Sequence, residues 1–297
     1  MARTRTGSFP IGFRRGWSDW QKTLPGLIDF AKTHGFEVVD VGAIPAAEIK
    51  QILDSGLGLG SVDLPQKWAD LASPDAAVRQ AAVDRCLAYV KDVAALGVRN
   101  FFTVIFPADE AMKRDEAFAH AVTGYRALCE GLATLPGKPR LVIEGYPGGR
   151  PRFPALVATP ETYRRFIGEM PAGTCGVNFD PSHLLRMGID PLRFVREFAP
   201  HVYHCHGKDT ELFADGLYEF GHTQPAVFAK PRGFGEWTWR YTIPGHGVAP
   251  WSEMFKVLVA AGYDGAVSVE LEDDQFNGST EGEQRGLLSS LAFLQHA

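Results

Sequence analysis

The sequence lacks long apolar runs, closely spaced cysteines and basic clusters. No segment approaches the roughly 18 consecutive apolar residues of a membrane helix, and no apolar segment of signal-peptide length follows the basic start. The four cysteines show no CxxC spacing, so neither a zinc knot nor a disulfide framework is indicated. No basic run exceeds an arginine pair, and the formal net charge is −5. These absences predict a cytoplasmic protein with reduced thiols that binds neither membranes nor nucleic acid.

Strand-like and helix-like segments alternate along all 297 residues. Strands appear as short apolar runs that end at glycine or proline, and helices as apolar stripes that begin at a capping residue; Asp19 is predicted to cap the first helix. The eight predicted strands are residues 9–13, 36–41, 57–62, 98–106, 140–144, 173–180, 201–206 and 265–270. Eight strands that alternate with eight helices predict the α/β class and one (β/α)8 TIM barrel over residues 1–297.

Four of the later predicted strands end in residues that can bind a metal. Glu144 ends the fifth strand, Asp180 the sixth and Glu270 the eighth, while His206 ends the seventh. Because the carboxyl ends of barrel strands surround one mouth, these four side chains are predicted to converge there. Three carboxylates and one imidazole form a hard, oxygen-rich set that suits Mn²⁺, Mg²⁺ or Co²⁺ rather than a thiolate zinc site.

Each of these residues also has a structural interpretation. A single strand-end Glu is commonly a solvated end, and Asp180 can cap a turn before Pro181. His204 shares a strand face with His206 and is either a buried barrel histidine or a substrate contact. His246, in Pro244-Gly245-His246-Gly247, is either a lid residue over the mouth or an exposed loop histidine.

The interval after the seventh strand is unusually long and rich in aromatic residues. Residues 209–247 show no clean helical period, and a loop of this length in a compact domain is commonly a lid or a binding segment. We expect a lid, or a contact with a homo-oligomer or partner subunit; a surface insertion with its own small cluster is the alternative. If the segment is extended, Trp237 and Trp239 share one face that lines a pocket or packs on a subunit, with Glu236 and Arg240 beside it.

As an ordered set, these motifs resemble the xylose-isomerase-like superfamily of sugar isomerases and epimerases, over nearly the whole chain. The motifs are Glu144, Asp180-Pro181-Ser182-His183, His206-Gly207-Lys208-Asp209, Pro244-Gly245-His246-Gly247 and Glu270. The resemblance implies a TIM barrel with one divalent ion, usually Mn²⁺, on Glu144, Asp180, His206 and Glu270. In the similar ketose 3-epimerase branch, the residues that match Glu144 and Glu270 exchange protons with the substrate and the one that matches His183 binds it.

The sequence departs from that branch at one position. A substrate-binding arginine six residues after the metal histidine is replaced by Leu212, and the nearest alternatives are Arg232 and Arg240. The histidines that the endonuclease branch needs on early strands are also missing. Because Leu212 replaces the substrate-binding arginine, keto-sugar lyases and dehydratases stay open as alternatives within the superfamily.

The chemistry can be argued from the residues. A hydrogen next to a carbonyl is removed at neutral pH only if the resulting enediolate is stabilised, which a divalent ion can do, and if a base lies within reach. Glu144 and Glu270 are the predicted catalytic bases, and His183 and Lys208 are predicted to bind a carbohydrate at the rim. We expect a metal-dependent sugar isomerase or epimerase. The alternatives are elimination from a 3-keto sugar or glycoside by a lyase, dehydratase or deglycosidase, and a non-catalytic barrel that binds a sugar or a partner.

Overall fold

The main sheet is a closed barrel of eight parallel strands. The computed structural model describes residues 1–65, 69–150 and 152–297. Neighbouring strands follow the order β1-β10-β7-β6-β5-β4-β3-β2. The barrel strands are β1 (Ile11–Arg14), β2 (Val38–Val41), β3 (Gly58–Asp63), β4 (Asn100–Thr103), β5 (Arg140–Glu144), β6 (Cys175–Phe179), β7 (Val202–Gly207) and β10 (Val267–Val269). The predicted (β/α)8 barrel is therefore confirmed.

Helices connect the barrel strands. They are α1 (Asp19–Lys22), α2 (Leu24–Thr33), α3 (Ala46–Asp54), α4 (Ala76–Ala94), α5 (Arg114–Thr134), α6 (Pro160–Gly168), α7 (Pro181–Arg186), α8 (Pro191–Phe198), α9 (Ala214–Phe220), α10 (Trp251–Ala260) and α11 (Thr280–Leu294). Short 3-10 turns cover Asp70–Ala72 and Ala199–His201. In the part of the chain that the structure describes, no helix has both the length and the apolarity to cross a membrane.

The first helix differs from the sequence-based prediction. Asp19 does not cap it but is its first residue, and the preceding Ser18 makes no side-chain capping hydrogen bond. The helix ends after one turn because Thr23 is extended, and α2 begins anew with Pro25 in its first turn. Pro25 has no backbone N–H to bond a carbonyl of the preceding turn, so it fits the first turn of a new helix but not the interior of a continuous one.

The chain divides into two compact units. The first comprises Met1–Asp40, Asp180–Pro200 and Cys205–Ala297, and the second comprises Val41–Phe179 and His201–His204. In the first unit β1 pairs with β10, with Phe13 opposite Val269. In the second unit β5 pairs with β6, with Glu144 opposite Asn178.

The 209–247 interval is more regular than the sequence indicates. It contains β8 (Asp209–Leu212), which pairs antiparallel with β9 (Trp239–Thr242), and the short helix α9 between them. Seven residues are too few to show a clear helical period. Two buried aspartates anchor the strands, since Asp209 accepts a hydrogen bond from Trp251 Nε1 (3.0 Å) and Asp273 accepts one from Thr242 Oγ1 (2.6 Å). The interval therefore contains a two-stranded sheet that is fixed at its base.

All four cysteines are free and buried. Burial raises the pKa of Cys205 to about 12 and that of Cys86 to about 11. Both thiols are therefore protonated at neutral pH, as expected of inert core residues.

Candidate active site

The two carboxylate oxygens of Asp180 have different neighbours: one bonds to the backbone and the other faces Lys208. It directly follows β6 and precedes the proline that opens α7, so its Oδ1 accepts a hydrogen bond from Ser182 N (2.8 Å) as an N-cap. Its Oδ2 is buried 3.3 Å from Lys208 Nζ, and it accepts no hydrogen bond from the residues that the structure describes. The capping interpretation thus accounts for one oxygen only.

A buried lysine lies among the acidic residues that follow β10. Lys208 Nζ donates to Glu270 Oε2 (2.5 Å) and to Glu272 Oε2 (3.0 Å), and only 1% of its side chain is exposed. Burial alone would raise the pKa of Glu270, but the charges of Lys208 and His206 outweigh it and lower that pKa well below its usual range. Glu270 is therefore ionised at neutral pH and is available as a ligand or a base.

His206 lies between two carboxylates. Its Nδ1 is 3.4 Å from Glu270 Oε2, and its Nε2 is 3.3 Å from Asp40 Oδ2 at the end of β2. Asp40 in turn accepts a hydrogen bond from Ser268 Oγ through its Oδ1 (2.9 Å). His206 thus has a carboxylate beside each ring nitrogen, and carboxylate partners of this kind orient the imidazole of metal-binding histidines.

His183 connects Asp180 to the two-stranded sheet. Its Nε2 is 3.4 Å from Asp180 Oδ2, and its Nδ1 forms a hydrogen bond with Tyr241 Oη (2.7 Å). One ligand atom each of Asp180, His183 and Glu270 lie within 4.8 Å of one another. This group of acidic and histidine residues has the composition of a divalent-metal site.

The arrangement around Lys208 fits a cation. Its ammonium group is 3.3 Å from Asp180 Oδ2 and 2.5 Å from Glu270 Oε2, so these two oxygens face one positive charge. Buried carboxylates need such a charge, because isolated ionised groups are costly to remove from water. The two oxygens that face the Lys208 ammonium group could therefore be ligands of a divalent ion. Glu272 is a second hydrogen-bond partner of that ammonium group.

Two further predicted residues lie in the second unit. Glu144 is buried at the end of β5 and accepts a hydrogen bond from Asn178 Nδ2 (2.9 Å). Asn178 lies on the neighbouring strand β6, two residues before Asp180. His204 is fully buried on β7. The four-ligand set of Glu144, Asp180, His206 and Glu270 stays a prediction.

β9 brings aromatic side chains to the site. Trp239 packs against Tyr241 with ring centroids 4.8 Å apart, and Arg186 donates to Tyr241 Oη (2.6 Å) while lying over the Trp239 ring. Burial raises the pKa of Tyr241, so its hydroxyl stays protonated. Tyr241 was not predicted as a site residue, although strand alternation places its side chain on the same face of β9 as that of Trp239.

Three predicted substrate contacts lie elsewhere. Trp237 precedes β9, and its indole N–H donates to Ala229 O (2.9 Å). Arg240 donates to Glu211 Oε2 and to Asp274 Oδ1, both at 2.8 Å. His246 is exposed on a turn with its ring 6.0 Å from that of Phe276. Among the described residues, the hydrogen bonds and ring contacts of these three side chains do not involve Asp180, His183 or Glu270.

The fold is a (β/α)8 barrel, and acidic and histidine side chains lie together at its strand ends. A sequence model of the xylose isomerase-like TIM barrel family matches residues 28–296, so the chain belongs to that family. This confirms the resemblance found in the sequence.

Individual relatives match shorter segments. The protein YfiH of Bacillus subtilis (strain 168) is 39% identical over 129 residues, 40% of this chain and 37% of its own length. An inosose dehydratase of Bacillus thuringiensis (strain Al Hakam) is 29% identical over 96 residues, 32% of this chain and 30% of its own length. The chain thus spans about a third of each of these relatives. D-psicose 3-epimerase from Clostridium cellulolyticum H10 superposes with a TM-score of 0.71 at 16% identity, over 97% of this chain and all of that one, and shares the fold.

Proposed function

We propose that the chain is a divalent-metal-dependent sugar isomerase or epimerase that removes a proton next to a carbonyl. The observation that carries this proposal is the pair of carboxylates Asp180 and Glu270, whose oxygens lie within 4.8 Å of each other, with His183 beside them. Mn²⁺ is the proposed ion, with Mg²⁺ or Co²⁺ as substitutes, because carboxylate and imidazole ligands suit all three. The family and the buried charges at the strand ends support the proposal.

Asp180, Glu270 and His206 are the proposed ligands in the first unit, and Glu144 completes the set from the end of β5. A bound divalent ion would supply a positive charge for the carbonyl and hydroxyl oxygens of the substrate. Glu144 and Glu270 are the proposed acid and base, since both are carboxylates at strand ends, Glu144 buried and Glu270 partly buried. Removal of a proton by one and its return by the other gives epimerisation, and return to the adjacent carbon gives isomerisation.

His183 and Lys208 are proposed to bind the substrate. Because Tyr241 Oη accepts a hydrogen bond from Arg186, its own proton can point to His183 Nδ1. In that tautomer Nε2 carries a hydrogen and acts as a donor for a sugar hydroxyl rather than as a metal ligand. Lys208 can then donate to another substrate oxygen.

Solvent exchange tests the proposal. With Mn²⁺ in D₂O, we expect proton NMR to show loss of the substrate hydrogen next to the carbonyl for at least one of D-fructose, a keto-inositol and a 3-keto-glucoside. Glu270→Gln should abolish the exchange because it removes the proposed base. Glu281→Gln, at an exposed position of α11, should retain the exchange. Exchange that survives a chelator would contradict the metal dependence. No exchange with any substrate would leave a barrel that only binds.

A second candidate function is elimination of water or an alcohol from a keto sugar. Lys208 favours it, because a buried ammonium group hydrogen-bonded to Glu270 is a proton donor beside the proposed base. The match to inosose dehydratase over 96 residues points the same way. In this function Glu270 takes the proton next to the carbonyl and Lys208 protonates the departing oxygen.

The two candidates differ in their products. Elimination predicts an unsaturated ketone with new ultraviolet absorbance, and Lys208→Met should stop its formation while hydrogen exchange continues. Epimerisation predicts a sugar of unchanged mass. In that case Lys208→Met should raise KM without creating a new product.

Two further expectations stay proposals. The cytoplasmic location follows only from the sequence features above. A contact with a second subunit through 209–247 would use its exposed side chains, of which Phe228 is 99% and Tyr218 88% exposed.

A further inference from the structure

A cavity within the first unit is lined in part by Glu270. Its volume is about 520 Å³, within the ~300–1,000 Å³ range of small-ligand sites. Arg14, Trp17, Phe234, Glu270 and Glu272 contribute to its lining. The lining thus combines aromatic faces with charged groups, which is the combination that carbohydrate rings need for their apolar and hydroxyl sides.

Glu270 joins this cavity to the acidic cluster. Its Oε2 faces Lys208 and His206, whereas its Oε1 is 3.3 Å from Arg14 Nε. The two oxygens of one carboxylate therefore face different neighbours. A substrate whose reacting carbon lies beside Oε2 can extend past Glu270 toward Arg14.

The wall that carries Trp17 is held in place. Buried Glu283 on α11 accepts hydrogen bonds from Ser18 Oγ, from Trp20 Nε1 (2.8 Å) and from Gln21 Nε2 (3.2 Å). Trp17 itself is 74% exposed on this fixed loop. A large aromatic side chain on a rigid loop can pack against a ligand with little loss of conformational freedom.

Phe234 also lines the cavity, and its backbone conformation is strained. Its φ is +49°, a region that non-glycine residues rarely adopt. Its backbone oxygen accepts a hydrogen bond from Tyr241 N (2.9 Å), the residue whose hydroxyl contacts His183. The position of Phe234 is thus coupled to the strand that supports the cluster.

From these observations we infer that the substrate is a keto-glycoside whose second sugar ring occupies this cavity, stacked on Trp17 with its hydroxyls toward Arg14 and Glu272. The inference rests on the proposed sugar chemistry and names its substrate class. It also gives a role to the exposed Trp17 in the cavity lining.

Binding of unreactive sugars tests the inference separately from catalysis. Isothermal titration calorimetry would compare methyl β-D-glucoside with the disaccharides cellobiose, maltose and lactose, none of which carries the keto group needed for turnover. We expect at least one disaccharide to bind about tenfold more tightly, a difference of about 1.4 kcal/mol. Trp17→Ala should remove this preference, and Phe228→Ala, at an exposed site outside the cavity lining, should retain it.

The same titrations in the Asp180→Asn variant separate this inference from the proposed function. The preference for the disaccharide should persist there, because Asp180 does not line the cavity. Equal affinities for all sugars, or a preference that Trp17→Ala leaves intact, would overturn the inference. Absence of hydrogen exchange together with a Trp17-dependent preference would instead reject only the catalytic proposal.

Discussion

Asp180 combines two roles in one side chain, and substitution can separate them. Asparagine caps helices about as well as aspartate, so Asp180→Asn should keep the bond to Ser182 N and the start of α7. It removes the charge that faces Lys208, so Mn²⁺ affinity should fall by more than about tenfold, or about 1.4 kcal/mol. Titration calorimetry measures the affinity, and thermal unfolding in chelator measures the stability.

Asp180→Ala is the matched comparison. It should lose the same affinity and about 1 kcal/mol of stability in addition, because the helix cap is removed. If Asp180→Asn bound Mn²⁺ as tightly as the parent protein, Asp180 would be a cap only.

Asp40 is expected to orient His206 for metal binding. Its Oδ2 is 3.3 Å from His206 Nε2, and partners in this position change metal affinity by roughly 10–100-fold when replaced. Asp40→Asn should therefore weaken Mn²⁺ binding by that factor, as measured by titration calorimetry.

Asp209→Asn provides the control for a buried aspartate away from the cluster. Asp209 accepts bonds from Trp251 Nε1 and Ala249 N, so its replacement should lower stability without changing Mn²⁺ affinity. Equal losses of affinity in the two variants would show that Asp40 acts only through stability.

At the scale of the element, β9 is expected to affect catalysis through Tyr241. Tyr241→Phe removes the hydroxyl that contacts His183 Nδ1 and Arg186, and buried groups that lose a partner cost about 1–3 kcal/mol. We expect a lower kcat and a higher KM with unchanged Mn²⁺ affinity, because His183 loses the contact that orients it. Steady-state kinetics and metal titration measure these quantities.

Tyr218→Phe is the matched control on α9, where the side chain is 88% exposed. Its kinetics should equal those of the parent protein. Loss of metal from the Tyr241→Phe variant would indicate that His183 belongs to the ligand set.

For the whole molecule, the expected effect of the ion is added stability rather than folding itself. The barrel strands pair through their backbones, and its core consists of apolar side chains, so the metal-free protein should remain folded. Mn²⁺ at about 100 times its Kd should raise the free energy of unfolding by about 2.7 kcal/mol. Urea unfolding with Mn²⁺ and with chelator measures the difference, and the Asp180→Asn variant should lack it. An unfolded chelated protein would contradict this expectation.

Local sequence patterns were sufficient to predict the barrel and most of its strand ends. Apolar runs that stop at Glu144 or Asp180, and a capping residue before proline such as Asp190, are local signals within a few positions, so they can be recognised without the fold. The 3-10 turns, α7 and the β8–β9 pair were missed because they are too short to show a period.

The contacts between individual atoms at the candidate site could not be predicted, because they join residues that are far apart in the sequence. His183 and Tyr241 are 58 positions apart, and Asp40 and Ser268 are 228 positions apart, so no local pattern predicts either contact. Strand register brings such residues together, and side-chain rotamers determine which oxygen of Asp180 caps α7 and which faces Lys208. Sequence patterns specify which residues stand at strand ends, whereas long-range packing specifies the partners of their individual atoms.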